Sequence, residues 1–431
     1  MSSSVRGVTP RARTRKAAAG APSKARSSAA RTTSGQGKAS TKSAKASGAK
    51  PPKTSTKSPE ASATKAGGGA RAKASRADRP APAQATGGGP ALADVVLRGA
   101  EFYFPDSGQS VSSLIEREHP HRVFMLRERR RMGAKYVRTA GPDETPSMMA
   151  TAAAQKLLTK LGVDPTTLDM VITAGCTPPD FDVWSMPAKV AANLGATRAE
   201  CFGFGEAACA CAFAAIRTLV PLMRMPDGPA RVLLVAGCVT PGGHFFPPVT
   251  IYGDGGGAIL LERVPAGVDA STLGPRIVRA EYHTNARFID AFGTAAGISR
   301  LRSEGKLEPA DWTVRVKDST VIDELIDGST GRGAELVRRA LAKQGWTPQD
   351  LRWLILDNVA AIMPIDMAAM LGVPEDRVLL ENVVRYGHAW VVDIFVNLAT
   401  ILGERPLERG QRMACAGIGQ GEHWGVMLVE A

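Results

Sequence analysis

Two cysteines, Cys209 and Cys211, stand among small residues in Phe204-Gly-Glu-Ala-Ala-Cys209-Ala-Cys211-Ala-Phe213-Ala-Ala-Ile216. A thiol attacks carbonyl carbon as thiolate, and the positive end of a helix dipole favours that form. An apolar pattern at helical spacing, Ile216, Leu219, Leu222 and Met223, begins here and puts the sulfur at or near a helix N-terminus. The same residues also suit a packed interior, where cysteine is a small hydrophobe. Residues further along the chain separate these readings.

Composition bounds the rest. The chain has 431 residues and a formal net charge of +13. Residues 1–92 hold 19 Lys+Arg against 2 Asp+Glu, so the remainder is mildly acidic, at −4. That first stretch has no cysteine or aromatic residue, and its Ala, Ser, Lys, Pro and Gly cannot bury enough surface to offset chain entropy. A disordered basic tail is expected, able to contact nucleic acid, anionic lipid or an acidic partner by charge alone, or to be simply solvated. It lacks the apolar face of an amphipathic transit peptide. With no long apolar run and no secretory h-region, the sequence reads as a soluble cytoplasmic protein without a membrane span. Six cysteines (Cys176, Cys201, Cys209, Cys211, Cys238, Cys415), none in a C-x-x-C pair, point to reduced thiols and to neither a disulfide framework nor a metal site.

The elements that must position the thiol begin after a Gly-rich hinge at Gly87-Gly88-Gly89-Pro90, with a strand at Val95-Val96-Leu97. A dense basic stretch over 122–138, including Arg127, Arg129, Arg130, Arg131, Lys135 and Arg138, suits either the phosphates of an acyl carrier or a solvated helix face. Thr145-Pro146 reads as a helix cap, Met149, Ala153, Leu157 and Leu161 as its buried stripe, and Gly162 as its stop. From there the chain repeats itself. LLTKLGVDPTTLDMVITAGC at 157–176 is answered by ALAKQGWTPQDLRWLILDNV at 340–359. Val190-Ala-Ala-Asn-Leu194-Gly195 is answered by Met367-Ala-Ala-Met-Leu371-Gly372. Arg231-Val-Leu-Leu-Val-Ala-Gly237-Cys238 leading to Tyr252-Gly-Asp254-Gly-Gly-Gly257 is answered by Arg412-Met-Ala-Cys415-Ala-Gly417-Ile-Gly419-Gln-Gly421 leading to Trp424-Gly. Buried runs alternating with helices in two copies argue for two related α/β units with largely buried sheets. Cys209 and His388 fall at nearly corresponding places, each just before a helix. Residues 253–257 lack the spacing of a dinucleotide-binding turn.

In this order, over roughly 93–431, these segments resemble the thiolase superfamily, and most nearly the β-ketoacyl-acyl-carrier-protein synthases III. Ala208-Cys209-Ala210 with Ala215-Ile216 is similar to the family's nucleophile segment, while loop length from the Gly-Asp-Gly-Gly-Gly side favours Cys211. The resemblance implies a duplicated five-layered α-β-α-β-α fold. Its parts would be the tail at 1–92, an N-terminal half at 93–265 with the nucleophile, an insert at 266–330 shaping an acyl tunnel, and a C-terminal half at 331–431. Gly253, Asp254 and Gly255 match a structural turn, and Gly419 and Gly421 a Gly-rich turn that supplies an oxyanion donor. The departures are Asp357-Asn-Val-Ala360 where the family has His-Gln-Ala-Asn, and Gly387-His388 where it has Gly-Asn. His388 falls on the histidine of thiolases proper, and Cys415 on the spacing of their second cysteine.

By that resemblance, Cys209 takes an acyl group from acyl-CoA or an acyl carrier protein, with no cofactor beyond the phosphopantetheine of the substrate. His388 moves the proton and Asp357 orients the imidazole. The acyl group then passes to a second substrate by Claisen-type condensation or by transfer to oxygen or nitrogen, in fatty-acid-like, polyketide or secondary-metabolite synthesis. A homodimer is the family expectation. The altered residue set also admits an inactive accessory subunit of a heteromeric condensing enzyme.

Overall fold

The computed structural model describes residues 93–118, 131–246, 249–294, 305–306, 308, 311 and 314–431. The tail at 1–92, the hinge at 87–90 and Arg127, Arg129 and Arg130 lie outside the described residues. The described residues, from 93 onward, belong to one compact unit.

Its framework is a nine-stranded sheet. In chain order the strands are β1 (Val95–Tyr103), β2 (Met170–Ala174), β3 (Glu200–Phe204), β4 (Arg231–Cys238), β5 (Gly255–Arg263), β6 (Arg276–Thr284), β7 (Leu351–Leu356), β8 (Arg412–Gly419) and β9 (His423–Glu430). Their spatial order is β7-β8-β9-β6-β1-β5-β4-β2-β3. The two halves of this sheet meet at a single pair, Val96 beside Arg276. Each half repeats one plan: β2 runs parallel to β4 and β4 antiparallel to β5, as β7 runs parallel to β8 and β8 antiparallel to β9. The duplication extends to the turns. Gly162 and Gly345 have φ of 64° and 68°, Gly195 and Gly372 of 78° and 74°, left-handed conformations in which a side chain would be strained.

Six helices matter to the layers: α1 (Pro146–Leu161), α2 (Met186–Leu194), α3 (Cys211–Met223), α4 (Ser319–Ala342), α5 (Ile362–Leu371) and α6 (Val392–Glu404). Helix α1 begins and ends where the caps place it, with Thr145 Oγ1 accepting from the Met148 amide and Gly162 closing it. Strand alternation sorts the side chains between layers. On β4, Leu233 and Val235 pack with α1 and α2, whereas Val232, Leu234, Ala236 and Cys238 face the central layer with α3 and α6. On β8, Ala414 and Ala416 pack with α4 and α5, whereas Met413 and Cys415 face the same central layer. The result is five layers, α-β-α-β-α. Gly257 lets the central helix close on the sheet, because a Cβ there would lie 2.4 Å from the Phe395 Cβ of α6.

Two boundaries differ from the sequence reading. Helix α4 crosses the expected division at 330/331, and β6, inside the expected insert, is an integral strand of the sheet. The α4 sequence carries Gly328, Gly331 and Gly333, which weaken a helical pattern read without its packing partners. Gly333 abuts the Trp424 ring.

Candidate active site

The central helices α3 and α6 run in the layer between the sheets, and the two segments that lead into them meet. Cys209 sits on a 3₁₀ turn, Ala208–Ala210, two residues ahead of α3. Ala208 has φ 46°, so the turn before the helix is sharp, and Cys209 on it is partly buried against the central core. Gly419, at the end of β8, closes against this turn: a Cβ there would stand 2.1 Å from Ala207 O. On the other side, His388 is held by its backbone. Its N–H donates to Ile251 O at 3.0 Å and its carbonyl accepts from Gly253 N–H at 2.8 Å. The Tyr252 ring stacks on Trp390 at 4.0 Å between centroids.

These supports bring His388 Nε2 to 3.3 Å from Cys209 Sγ. The orienting carboxylate is Asp393, in the first turn of α6, with Oδ2 2.5 Å from His388 Nδ1. This corrects the sequence reading, which gave the role to Asp357. The Asp357 carboxyl instead accepts from the Ile418 amide at 2.7 Å through Oδ2, and its Oδ1 has no hydrogen-bond partner among the described residues. Counting positions located Asp357 near the site but not its direction. Asp393 was legible only as one acid in the otherwise apolar run Val391-Val-Asp-Ile-Phe-Val396. A buried charge in such a run needs a partner.

The electrostatics follow from burial and these carboxylates. Burial disfavours a charged His388, but the Asp393 carboxylate and its hydrogen bond outweigh that and raise the imidazole above its ordinary value. The Cys176 thiol's hydrogen bond favours a Cys209 thiolate, yet burial and the charges of Asp357 and Asp393 prevail, holding the thiol above its ordinary range. The expected thiolate at a helix N-terminus is thereby replaced by a thiol beside a strengthened base. Burial pushes Asp357 up to about 7, against the pull of His388 and the Ile418 amide. In the neutral ring, with Nδ1 donating to Asp393, Nε2 presents its lone pair to the thiol.

A cavity of about 200 Å³ opens on this pair. Its wall includes Cys209, Tyr252, His388 and Trp390, with Val249, Phe292, Val314, Leu325, Ile362 and Met363 as apolar lining. Gly419 and Gly421, from the end of β8 and the β8–β9 turn, also line this cavity, as does Ala360, which has no side-chain donor. Arg131 also lines the cavity. Asp254 has a structural place: its carboxylate accepts from Thr240 N–H at 2.7 Å and Ala140 N–H at 2.8 Å, and Gly255 begins β5. Cys211 is fully buried, donates to Gly175 O at 3.2 Å and is pushed up to about 12 by burial. Cys415 is fully buried among the central-layer residues. Neither lines the cavity. His244 faces its own loop, with Nδ1 3.1 Å from Tyr252 O. Among the described residues, no group of three or more His, Cys, Asp or Glu side chains is placed to hold a metal, and no helix is long and apolar enough to cross a membrane.

Comparison with known proteins agrees with this architecture. Residues 341–431 match the family model of the 3-oxoacyl-[acyl-carrier-protein] synthase III C-terminal region. The β-ketoacyl-[acyl-carrier-protein] synthase III of Rhodobacter capsulatus is 27% identical over 310 residues, 70% of this chain and 89% of that protein. The one from Synechocystis is 26% identical over 352 residues, 80% of this chain and 96% of that protein. The crystal structure of 3-oxoacyl-(acyl carrier protein) synthase III from Pseudomonas aeruginosa superposes with a TM-score of 0.66 at 22% identity, covering 78% of this chain and 98% of that one. Two halves around a shared central helix layer are thus a fold this chain shares with that synthase structure. The chain's C-terminal region is similar to that of β-ketoacyl-acyl-carrier-protein synthases III, and most of the chain is similar in sequence to members named so.

Proposed function

We propose that the protein is an acyltransferase that forms an acyl-enzyme on Cys209 from an acyl-CoA or acyl-carrier-protein thioester and passes the acyl group to an oxygen or nitrogen nucleophile. The observation that carries this reading is the line Cys209 Sγ, His388 Nε2, His388 Nδ1, Asp393 Oδ2, with contacts of 3.3 and 2.5 Å. In the first half-reaction the Cys209 proton moves to Nε2 as sulfur bonds to the thioester carbonyl. The Cys209 amide and the turn bearing Gly419 and Gly421 supply donors to the oxyanion, each worth roughly 3 kcal/mol. Collapse expels the pantetheine thiolate, which takes the proton back from the imidazolium. The apolar lining holds the acyl chain, and no cofactor takes part. In the second half-reaction Nε2 accepts the proton of the incoming hydroxyl or amine, and Cys209 leaves as thiolate and is reprotonated by His388.

The choice of acceptor rests on what the site lacks for an enolate. A decarboxylative condensation needs neutral donors on the enolate oxygen. Ala360 has no donor, and Asp357, near half ionisation at neutral pH, would repel a malonyl carboxylate. Carbon–carbon condensation is the second reading, favoured by the relatives, which are named as synthases.

Product analysis tests the assignment: the protein, charged with an acyl thioester, is offered malonyl thioester or a panel of alcohols and amines. Ester or amide without carbon dioxide release supports the proposal; a β-keto product with stoichiometric carbon dioxide establishes condensation instead. Removing residues 1–92 is expected to leave turnover intact and Cys209→Ala to abolish it. The reverse pattern would mark an accessory role carried by the basic tail. Action in the cytoplasm as a homodimer completes the proposal.

A further inference from the structure

Behind Asp393 lies a set of amides that the proton-transfer scheme does not use. Helix α6 is apolar on most sides, with Ile394, Phe395, Val396 and Leu398 in the central layer, yet Asn397 is fully buried within it. Asn397 is one turn beyond Asp393, so the two share a face. Its Nδ2 donates to Leu356 O at 2.6 Å and to Asn358 Oδ1 at 3.1 Å, using both amide hydrogens on the segment after β7. Its Oδ1 accepts from Asn382 Nδ2 at 2.8 Å. Asn382 also donates to Thr400 Oγ1, which donates to Val396 O. These partners leave Asn397 one orientation. The segment it holds ends in the Asn358 amide, whose N–H donates to Asp393 Oδ2 at 2.6 Å, the same oxygen that meets His388. The second oxygen of Asp393 accepts from the Ala389 amide at 2.7 Å.

We infer that Asn397 is a positioning residue: it fixes the segment carrying Asn358 and, through that amide, the aim of the Asp393 carboxylate at His388. A buried polar group in an apolar layer is costly unless it is paired, and Asn397 has both amide hydrogens and its oxygen paired, in a chain of bonds that runs toward the base; Asn358 Nδ2 is left without a partner among the described residues. A merely structural cluster would serve as well anywhere along α6. This one ends on the atom that orients the imidazole. The charged or titratable groups acting on His388 are Asp393 from α6, Asp357 from the end of β7 and Cys238 from the end of β4, together with its contact Cys209 from the turn before α3. Asn397 bears on the first of these through the Asn358 amide, and its bonds to Leu356 and Asn358 also bracket Asp357, so the titration below is repeated in an Asp357→Asn background, where the shift is expected to persist.

The inference deepens the acyltransferase reading, since it concerns the same base, but its test needs no acyl donor. The ring of His388 is titrated by NMR in protein labelled at histidine Cε1, with the resonance assigned by its loss in His388→Gln. Asn397→Leu, which keeps side-chain volume, is expected to move the His388 midpoint down toward ordinary imidazole by about half a unit or more. Thr400→Val, which leaves both bonds donated by Asn397 in place, is expected to move it less. An Asn397→Leu protein of lowered melting temperature with an unmoved midpoint would overturn the inference and make Asn397 a packing residue. If that variant does not fold, Asn397→Ala, which removes the same two donated bonds, is read in its place. A downward shift supports the proposal and an unmoved midpoint overturns it. Failure of every acyl thioester to label Cys209 would sink the functional reading while leaving this titration to be judged separately.

Discussion

Asp393→Asn removes one charge and keeps the shape of the side chain, which makes it the sharpest perturbation of the site. In the native protein the carboxylate accepts from His388, Asn358 and Ala389 at 2.5, 2.6 and 2.7 Å, and it is wholly out of solvent. A hydrogen bond to a charged group is worth about 1.5–3 kcal/mol, and one unit of pKa is about 1.4 kcal/mol. Loss of the charge should therefore lower the basicity of His388 by about one to two units. Acylation, which needs Nε2 to take the thiol proton, should slow by roughly 10- to 100-fold. The sign extends to stability. A histidine raised in the folded state contributes stability below its unfolded value that is lost as pH rises through the folded one. The native protein's advantage over Asp393→Asn should thus be larger at pH 6 than at pH 8.5. The assay is rapid-quench mass spectrometry of the acyl-enzyme, alongside thermal melts at both pH values. If Asp393→Asn acylates within twofold of the native rate while Asp357→Asn is inactive, the assignment of the orienting carboxylate is wrong.

Other substitutions probe separate parts of the site. Asp357 is a buried acid whose carboxyl is raised to about 7, so its contribution to stability is present below its ordinary value and lost as pH climbs through 7. Asp357→Asn should therefore raise the melting temperature more at pH 8.5 than at pH 5, read by calorimetry; a gain confined to low pH would contradict the burial argument. Gly419→Ala would drive a methyl into Ala207 O and displace the nucleophile turn. It should cost about 1–3 kcal/mol in denaturant melts and most of the acylation rate. Cys211→Ser should keep Cys209 labelling, because the Cys211 sulfur is turned to Gly175 O and away from the cavity.

The legible and illegible parts of this chain have physical causes. The duplicated halves could be read because a helix end, a Gly stop and a Pro turn before an apolar strand are local signals, and they recur at Gly162 and Gly345 with nearly the same backbone angle. The nine residues of β6, RIVRAEYHT, gave no such signal: the strand is mostly half-buried and rich in charge, so the region read as an insert. At the site, Cys209 and His388 carried motif context. Asp393 and Asn397 did not, because their meaning lies in partners on other elements, 35 and 41 residues away in sequence. Asp357 was over-read for the converse reason. Its position near the site was visible, but the direction of its carboxyl depends on the Ile418 amide of the neighbouring parallel strand β8.

Acylation of Cys209 itself is tested by intact mass and then peptide mapping, after the purified, reduced protein is incubated with a panel of acyl-CoA and acyl-carrier-protein thioesters. An acyl adduct on Cys209 is expected, formed faster as pH rises through the His388 midpoint and absent from Cys209→Ala. A folded protein that takes no adduct from any donor, or takes it on Cys211 or Cys415, would contradict the assignment of Cys209 as the nucleophile.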